Sequence, residues 1–128
     1  MIAQLFLAFN GVLYIALAAW CTLAPNQTAA AIGFGINNSS AKSEYLTVYG
    51  GLELGMGLFF LLAAWRTGMV EAGLWFAALS YAALAVYRII TVVTMNDLSA
   101  FIYTVAIVEP AMALLSIALL ARHLMQPA

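Results

Sequence analysis

The sequence predicts an all-α membrane protein, folded as a transmembrane four-helix up-down-up-down bundle. Two observations carry this prediction: the scarcity of charge and the spacing of long apolar runs. Hydrophobic residues make up 66% of the 128 residues and charged residues only 7%, whereas soluble domains carry about 25% charged residues. So few charges cannot cover the surface of a soluble domain in water. The composition therefore excludes a soluble enzyme, a nucleic-acid-binding domain and a disordered chain.

Four apolar runs are long enough to cross a bilayer, for which a helix needs about 20 residues. They cover residues 2–24, 45–65, 72–95 and 98–121 of one transmembrane domain, 1–128. The period-two alternation of membrane barrels is missing, so each run is read as a helix. Short connections join the last three runs and make neighbouring helices antiparallel. The long loop lies between helices one and two, and its apolar centre is too short to span.

Basic residues outside the runs predict the orientation. Arg66 and Arg122 flank the runs on the side of the N-terminus, whereas Lys42 lies on the other side. Because Lys and Arg are concentrated in cytoplasmic loops, both termini are expected in the cytoplasm. The first run has no Lys or Arg before it and the length of a full span, so we interpret it as a retained helix rather than a signal peptide.

Three charged residues lie inside the apolar runs, where each costs about 2.5–3.5 kcal/mol to insert. They are Glu53, Arg88 and Glu109, one in each of the last three runs. At 1.5 Å per residue, each lies roughly 10–12 Å below the side of the long loop. If the three helix faces converge, Arg88 lies between two carboxylates and one negative charge is left over. Either one glutamate is protonated, or a cation or donor-rich ligand completes the set.

Further polar side chains are predicted on the same faces as these charges. Tyr49 lies one turn from Glu53, Tyr81 lies on the face of Arg88, and the first helix carries Asn10 and Tyr14 on one stripe. Such a group can line a ligand site, or it can simply hold the helices in register. The predicted ligand-binding or polar-core residues are Glu53, Arg88, Glu109, Tyr49, Asn10, Tyr14 and Tyr81.

Glycines and one proline are expected to shape the helices around this group. Small residues at helical spacing let two membrane helices approach closely. Pro110 lacks an N–H and removes the helical partner of the Ala106 carbonyl, which predicts a kink beside Glu109. The predicted helix-packing residues are Gly50, Gly51, Gly55 and Gly57.

The chain contains few residues of the types that bind metals or cofactors. Cys21 is the single cysteine and His123 the single histidine, so neither a zinc site nor a histidine-ligated haem is predicted. We expect no cofactor and no catalytic residue.

Several stretches resemble a known family. They are Ala24-Pro25 at the end of the first run, the glycine-rich Tyr49–Gly55, Tyr87-Arg88, and the glutamate of the last run. Together they resemble a small bacterial four-helix membrane family, domain of unknown function 4345, which is similar in plan to DoxX-like proteins. The resemblance covers nearly the whole chain and implies a multi-pass protein of the bacterial inner membrane. It transfers no catalytic residues. Relatives tend to carry an Asp-Gly turn where this chain has Asn96-Asp97-Leu98.

Three classes of function fit these patterns. The first is binding of a small molecule or lipid headgroup at the Glu/Arg/Glu group, with a link to transport. The alternative is a structural or interaction subunit of a membrane complex, in which the charges only set register. The second alternative is a small membrane enzyme that uses a protonated glutamate as general acid. The expected partners are the lipid bilayer, a lipid or small-molecule ligand, and a second copy or another membrane protein; nucleic acid is not expected.

Overall fold

The computed structural model describes residues 1–125, which are almost entirely helical and contain no β-strand. The predicted all-α class is confirmed. A π-helical segment, Leu46–Leu52, joins the third helix to the fourth without a break, and a 3-10 turn, Thr67–Met69, precedes the fifth. The helices are α1 Ile2–Leu23, α2 Pro25–Ala31, α3 Ser39–Tyr45, α4 Glu53–Trp65, α5 Val70–Thr94 and α6 Ala100–Leu124.

Four helical stretches are long and apolar enough to cross a membrane: Ile2–Leu23, Ser39–Trp65, Thr67–Thr94 and Ala100–Leu124. Many of their large apolar side chains are exposed, as expected for helices whose outer surface is covered by lipid. The chain is therefore a multi-pass membrane protein. The second stretch begins at Ser39 rather than at residue 45, because α3 continues through the π-helical segment into α4. Lys42 and Glu44 near its start are both exposed.

The chain forms two compact units, Met1–Thr67 and Gly68–Ala128. In the first unit α1 packs along α4. Two glycines bring these helices together: a Cβ on Gly57 would lie 2.9 Å from the Gly11 carbonyl oxygen and 2.7 Å from Ile15 Cγ1. Such distances allow no side chain, so the two backbones are in direct contact. The expectation of a single domain stays a prediction.

The stretch predicted as a long loop contains α2 and α3. Pro25 starts α2, where its fixed φ suits the first helical turn and its missing N–H costs nothing. The Asn38 side chain accepts a hydrogen bond from the Ala41 N–H at 2.8 Å and so caps α3. The two short helices meet at Tyr45, whose hydroxyl donates to Thr28 Oγ1 at 2.9 Å.

The second unit is the pair α5 and α6, which lie along each other. Asp97 in their connection has a φ of 59°, a left-handed conformation that suits glycine and that aspartate tolerates better than most residues. Ser99 then caps α6 by accepting from the Ile102 N–H.

Candidate functional site

An ion pair joins the two helices of the second unit. Arg88 on α5 donates from Nε to Glu109 Oε2 at 2.8 Å and from a terminal guanidinium nitrogen to Oε1 at 2.9 Å. The fork geometry of guanidinium and carboxylate is the strongest form of this contact. The Glu109 side chain is 14% exposed and that of Arg88 is 26% exposed, so water or lipid headgroups screen the pair only partly.

Backbone features near the pair hold its two members in place. Thr91 Oγ1 donates to the Arg88 carbonyl oxygen at 3.0 Å, within α5. On α6, Pro110 follows Glu109 directly and lies inside the helix. Its ring removes the N–H that would have bonded the Ala106 carbonyl, one turn before it. The carboxylate therefore lies at the point where α6 lacks one backbone hydrogen bond.

Glu53 lies in the other unit, at the junction of the π-helical segment and α4. Its backbone N–H bonds to the carbonyls of Val48 and Gly50, which marks the return from the wide to the normal helical turn. The side chain is partly buried. Its Oε2 atom is buried and has no hydrogen-bond partner among residues 1–125. The convergence of Glu53 on the Arg88–Glu109 pair stays a prediction from the sequence.

The remaining predicted polar residues are divided between the two units. Asn10 is fully buried on α1 and donates from Nδ2 to the Phe6 carbonyl oxygen at 2.7 Å. Tyr14 stacks on Phe60 of α4 with ring centroids 5.8 Å apart. Tyr81 is buried on α5. Tyr49 lies in the π-helical segment, about one turn before Glu53.

The predicted packing glycines occupy two kinds of environment. Gly57 contacts the α1 backbone, and a Cβ on Gly50 would lie 2.9 Å from Thr22 Oγ1 of α1. A Cβ on Gly51 or Gly55 would meet no described atom within 4 Å. Two of the four glycines thus lie at the contact with α1, and the other two lie away from it.

Sequence reasoning missed an aromatic group beside a pocket in the first unit. The rings of Tyr45 and Tyr49 stack with centroids 4.7 Å apart, and Phe34 meets Tyr49 edge to face at 6.1 Å. Phe34 precedes α3, in the stretch that the sequence predicts as the apolar centre of the long loop. The tyrosines are four residues apart on one continuous helix, and that spacing was the available signal.

The described residues contain no group of three His, Cys, Asp or Glu side chains placed to hold a metal ion. The charges of Arg88 and Glu109 offset each other in their ion pair. The buried Oε2 atom of Glu53, by contrast, has no hydrogen-bond partner among the described residues. The arrangement can therefore bind a hydrogen-bond donor at Glu53.

A family model described as "Domain of unknown function (DUF4345)" matches residues 2–120. The chain belongs to this family. The family prediction made from the glycine-rich stretch and Arg88 is confirmed, while the likeness to DoxX-like proteins stays a prediction. No curated protein and no solved structure matches the chain. The DUF4345 match thus assigns the chain no activity.

Proposed function

We propose that this DUF4345 protein binds a small molecule or a lipid headgroup through Glu53. The observation that carries the proposal is the buried Oε2 atom with no hydrogen-bond partner among the described residues. Buried polar atoms in folded proteins are almost always bonded. An unsatisfied one costs about 1–3 kcal/mol, and more for a charged group. An N–H, O–H or cationic group on a ligand would supply the missing partner.

The pairing in the second unit supports this choice of residue. Two glutamates and one arginine lie in the apolar runs, and Glu109 takes two guanidinium hydrogen bonds. The pair carries no net charge, and its two hydrogen bonds give both residues a structural role in the span. Glu53 lies in a span, where an ionisable residue is by default a functional candidate.

The local backbone also supports it. π-Helical turns are rare, they are less well packed than α-helix, and they occur often at functional sites. The segment Leu46–Leu52 ends directly before Glu53, the first residue of α4, so the carboxylate lies at the junction of an irregular and a regular helical stretch.

The experiment is native mass spectrometry of the protein purified in mild detergent, comparing wild type with Glu53→Gln. Glu71→Gln serves as the matched control, because Glu71 is an exposed carboxylate that accepts from Trp75 Nε1 at 3.3 Å. We expect a bound mass on wild type and on the control that is lost from folded Glu53→Gln. The same adduct on all three proteins, or none on wild type, would contradict the proposal.

We further propose that the protein resides in the bacterial inner membrane with both termini in the cytoplasm. The support is the positive-inside pattern, with Arg66 and Arg122 on one side of the spans and Lys42 on the other. The pocket lined by Glu44 would then lie at the outer side of that membrane.

A further inference from the structure

A second candidate site lies in the first unit, at the start of the second membrane-length helix. It is a pocket of about 520 Å³, within the range of about 300–1,000 Å³ typical of small-molecule sites. Glu53 is not among its lining residues, so this site is independent of the proposed function. The lining consists of Gly33, Phe34, Gly35, Ile36, Ala41, Glu44, Tyr45, Val48 and Tyr49.

The aromatic part of the wall is held in place before any ligand arrives. Tyr45 is buried, and its hydroxyl donates to Thr28 Oγ1, which in turn donates to the Ala24 carbonyl. Tyr49 stacks on Tyr45, and Phe34 meets Tyr49 edge to face. Because these rings are already fixed, binding of a ligand costs little additional side-chain entropy.

The charge in the lining of the pocket is negative. Glu44 is the only charged residue in the described lining. Lys42 is exposed on the same helix, but two residues correspond to about 200° of rotation, so it points to the opposite side from Glu44. The lining also carries the rings of Phe34, Tyr45 and Tyr49, of which Phe34 is 54% exposed, and an open aromatic face attracts cations.

We propose that this pocket binds a small organic cation with an apolar body, such as an alkyl- or arylammonium. The cationic centre contacts Glu44 and the exposed Phe34 ring, while the apolar body packs against Ile36 and Val48. The Glu44 carboxylate repels an anionic ligand and attracts a cationic one more strongly than a neutral one. The site therefore selects by sign of charge.

The probes are tetraphenylphosphonium and tetraphenylborate, two ions of nearly the same shape and opposite charge. Binding is measured by equilibrium dialysis against the full chain in an uncharged detergent, for wild type, Glu44→Gln, Phe34→Leu and the control Glu71→Gln. Glu44 and Phe34 are both exposed, so their variants should keep the fold, and circular dichroism checks that they do.

We expect saturable binding of tetraphenylphosphonium to wild type and to the control, and none of tetraphenylborate. Glu44→Gln and Phe34→Leu should each weaken phosphonium binding by about twofold to fivefold, the range of one exposed cation–carboxylate or cation–ring contact. Equal binding of the two probes would overturn the proposal. So would variants that bind phosphonium as tightly as the control.

A last comparison distinguishes a dissolved cation from a lipid headgroup with the same chemistry. Phosphatidylethanolamine or diacylglycerol is added to the micelles, since both are uncharged overall and only the first carries an ammonium group. Displacement of the phosphonium probe by phosphatidylethanolamine alone assigns the site to a lipid headgroup, and displacement by neither assigns it to a dissolved cation. Displacement by both lipids alike would show that the pocket takes acyl chains, which overturns the cation proposal.

Discussion

Replacing Gly57 by alanine tests the direct contact between α1 and α4. The added Cβ would lie 2.7 Å from Ile15 Cγ1, 2.9 Å from the Gly11 carbonyl oxygen and 3.0 Å from the Ile15 nitrogen. Two of these three atoms belong to the backbone of α1, which cannot rotate away as a side chain can. The helices must therefore separate by about 0.5–1 Å. A gap of that size removes a quarter to a half of the dispersion energy of each contact between them.

The magnitude follows from two opposing effects. Overpacking of this kind costs about 1–3 kcal/mol. Alanine is favoured over glycine inside a helix by about 1 kcal/mol. Gly57→Ala should therefore lower the free energy of unfolding by up to about 2 kcal/mol. Gly55→Ala, two residues away on α4, gains the same helix preference and meets no described atom within 4 Å, so it should be neutral or stabilising.

The assay is titration of the purified protein in mixed micelles with sodium dodecyl sulfate, followed by circular dichroism. The difference between the two variants removes the helix-preference effect and leaves the packing cost, expected at about 1–3 kcal/mol. If Gly57→Ala is as stable as Gly55→Ala, α1 and α4 are not in backbone contact at this point. The reasoning about the whole first unit would then be wrong.

Two further predictions concern the ion pair and the orientation. Arg88→Met and Glu109→Leu should each lower the free energy of unfolding by about 2–4 kcal/mol, because each breaks both hydrogen bonds of a partly buried ion pair, whereas the double variant should lie near wild type. Additive losses in the same titration would contradict this. A green fluorescent protein fused to the C-terminus should fluoresce in bacterial cells, and alkaline phosphatase fused after Asn96 should be active. The reverse pattern would invert the proposed orientation.

Much of the fold could be predicted from composition and run length, because those quantities alone decide whether a helix can cross a bilayer. Pro25 likewise predicts the end of α1 correctly. The second membrane-length helix begins at Ser39, six residues before the predicted start at residue 45, since Lys42 and Glu44 resemble loop residues in their hydropathy. Exposed charges at a helix end can remain outside the hydrocarbon while the helix itself continues inward.

The π-helical segment could not be predicted from the sequence. A helical wheel advances 100° per residue, and that rule fails over Leu46–Leu52, where the turn is wider. No residue type marks such a segment, because it is set by how the helix meets its neighbours. Faces assigned by α-helical periodicity are therefore displaced for residues on either side of it.

For the candidate site, depth along the helix was the informative quantity. Arg88 lies seven residues before Met95 and Glu109 lies eight after Phe101, which places them at one level, and the structure joins them by two hydrogen bonds. The aromatic pocket was missed because it combines Phe34 with residues beyond α3. Nothing in either stretch alone indicates that α2 and α3 bring them together.

The division into two compact units bears on how the protein is made. Each unit pairs membrane-length helices that follow one another along the chain: α1 with α4, then α5 with α6. Chains fold from the N-terminus as they leave the ribosome, with units forming in order of synthesis. The glycine contact of the first pair can thus close before Arg88 and Glu109 have been translated. During that interval Glu53 is already in a helix pair, and the charges synthesised after it find each other within their own pair.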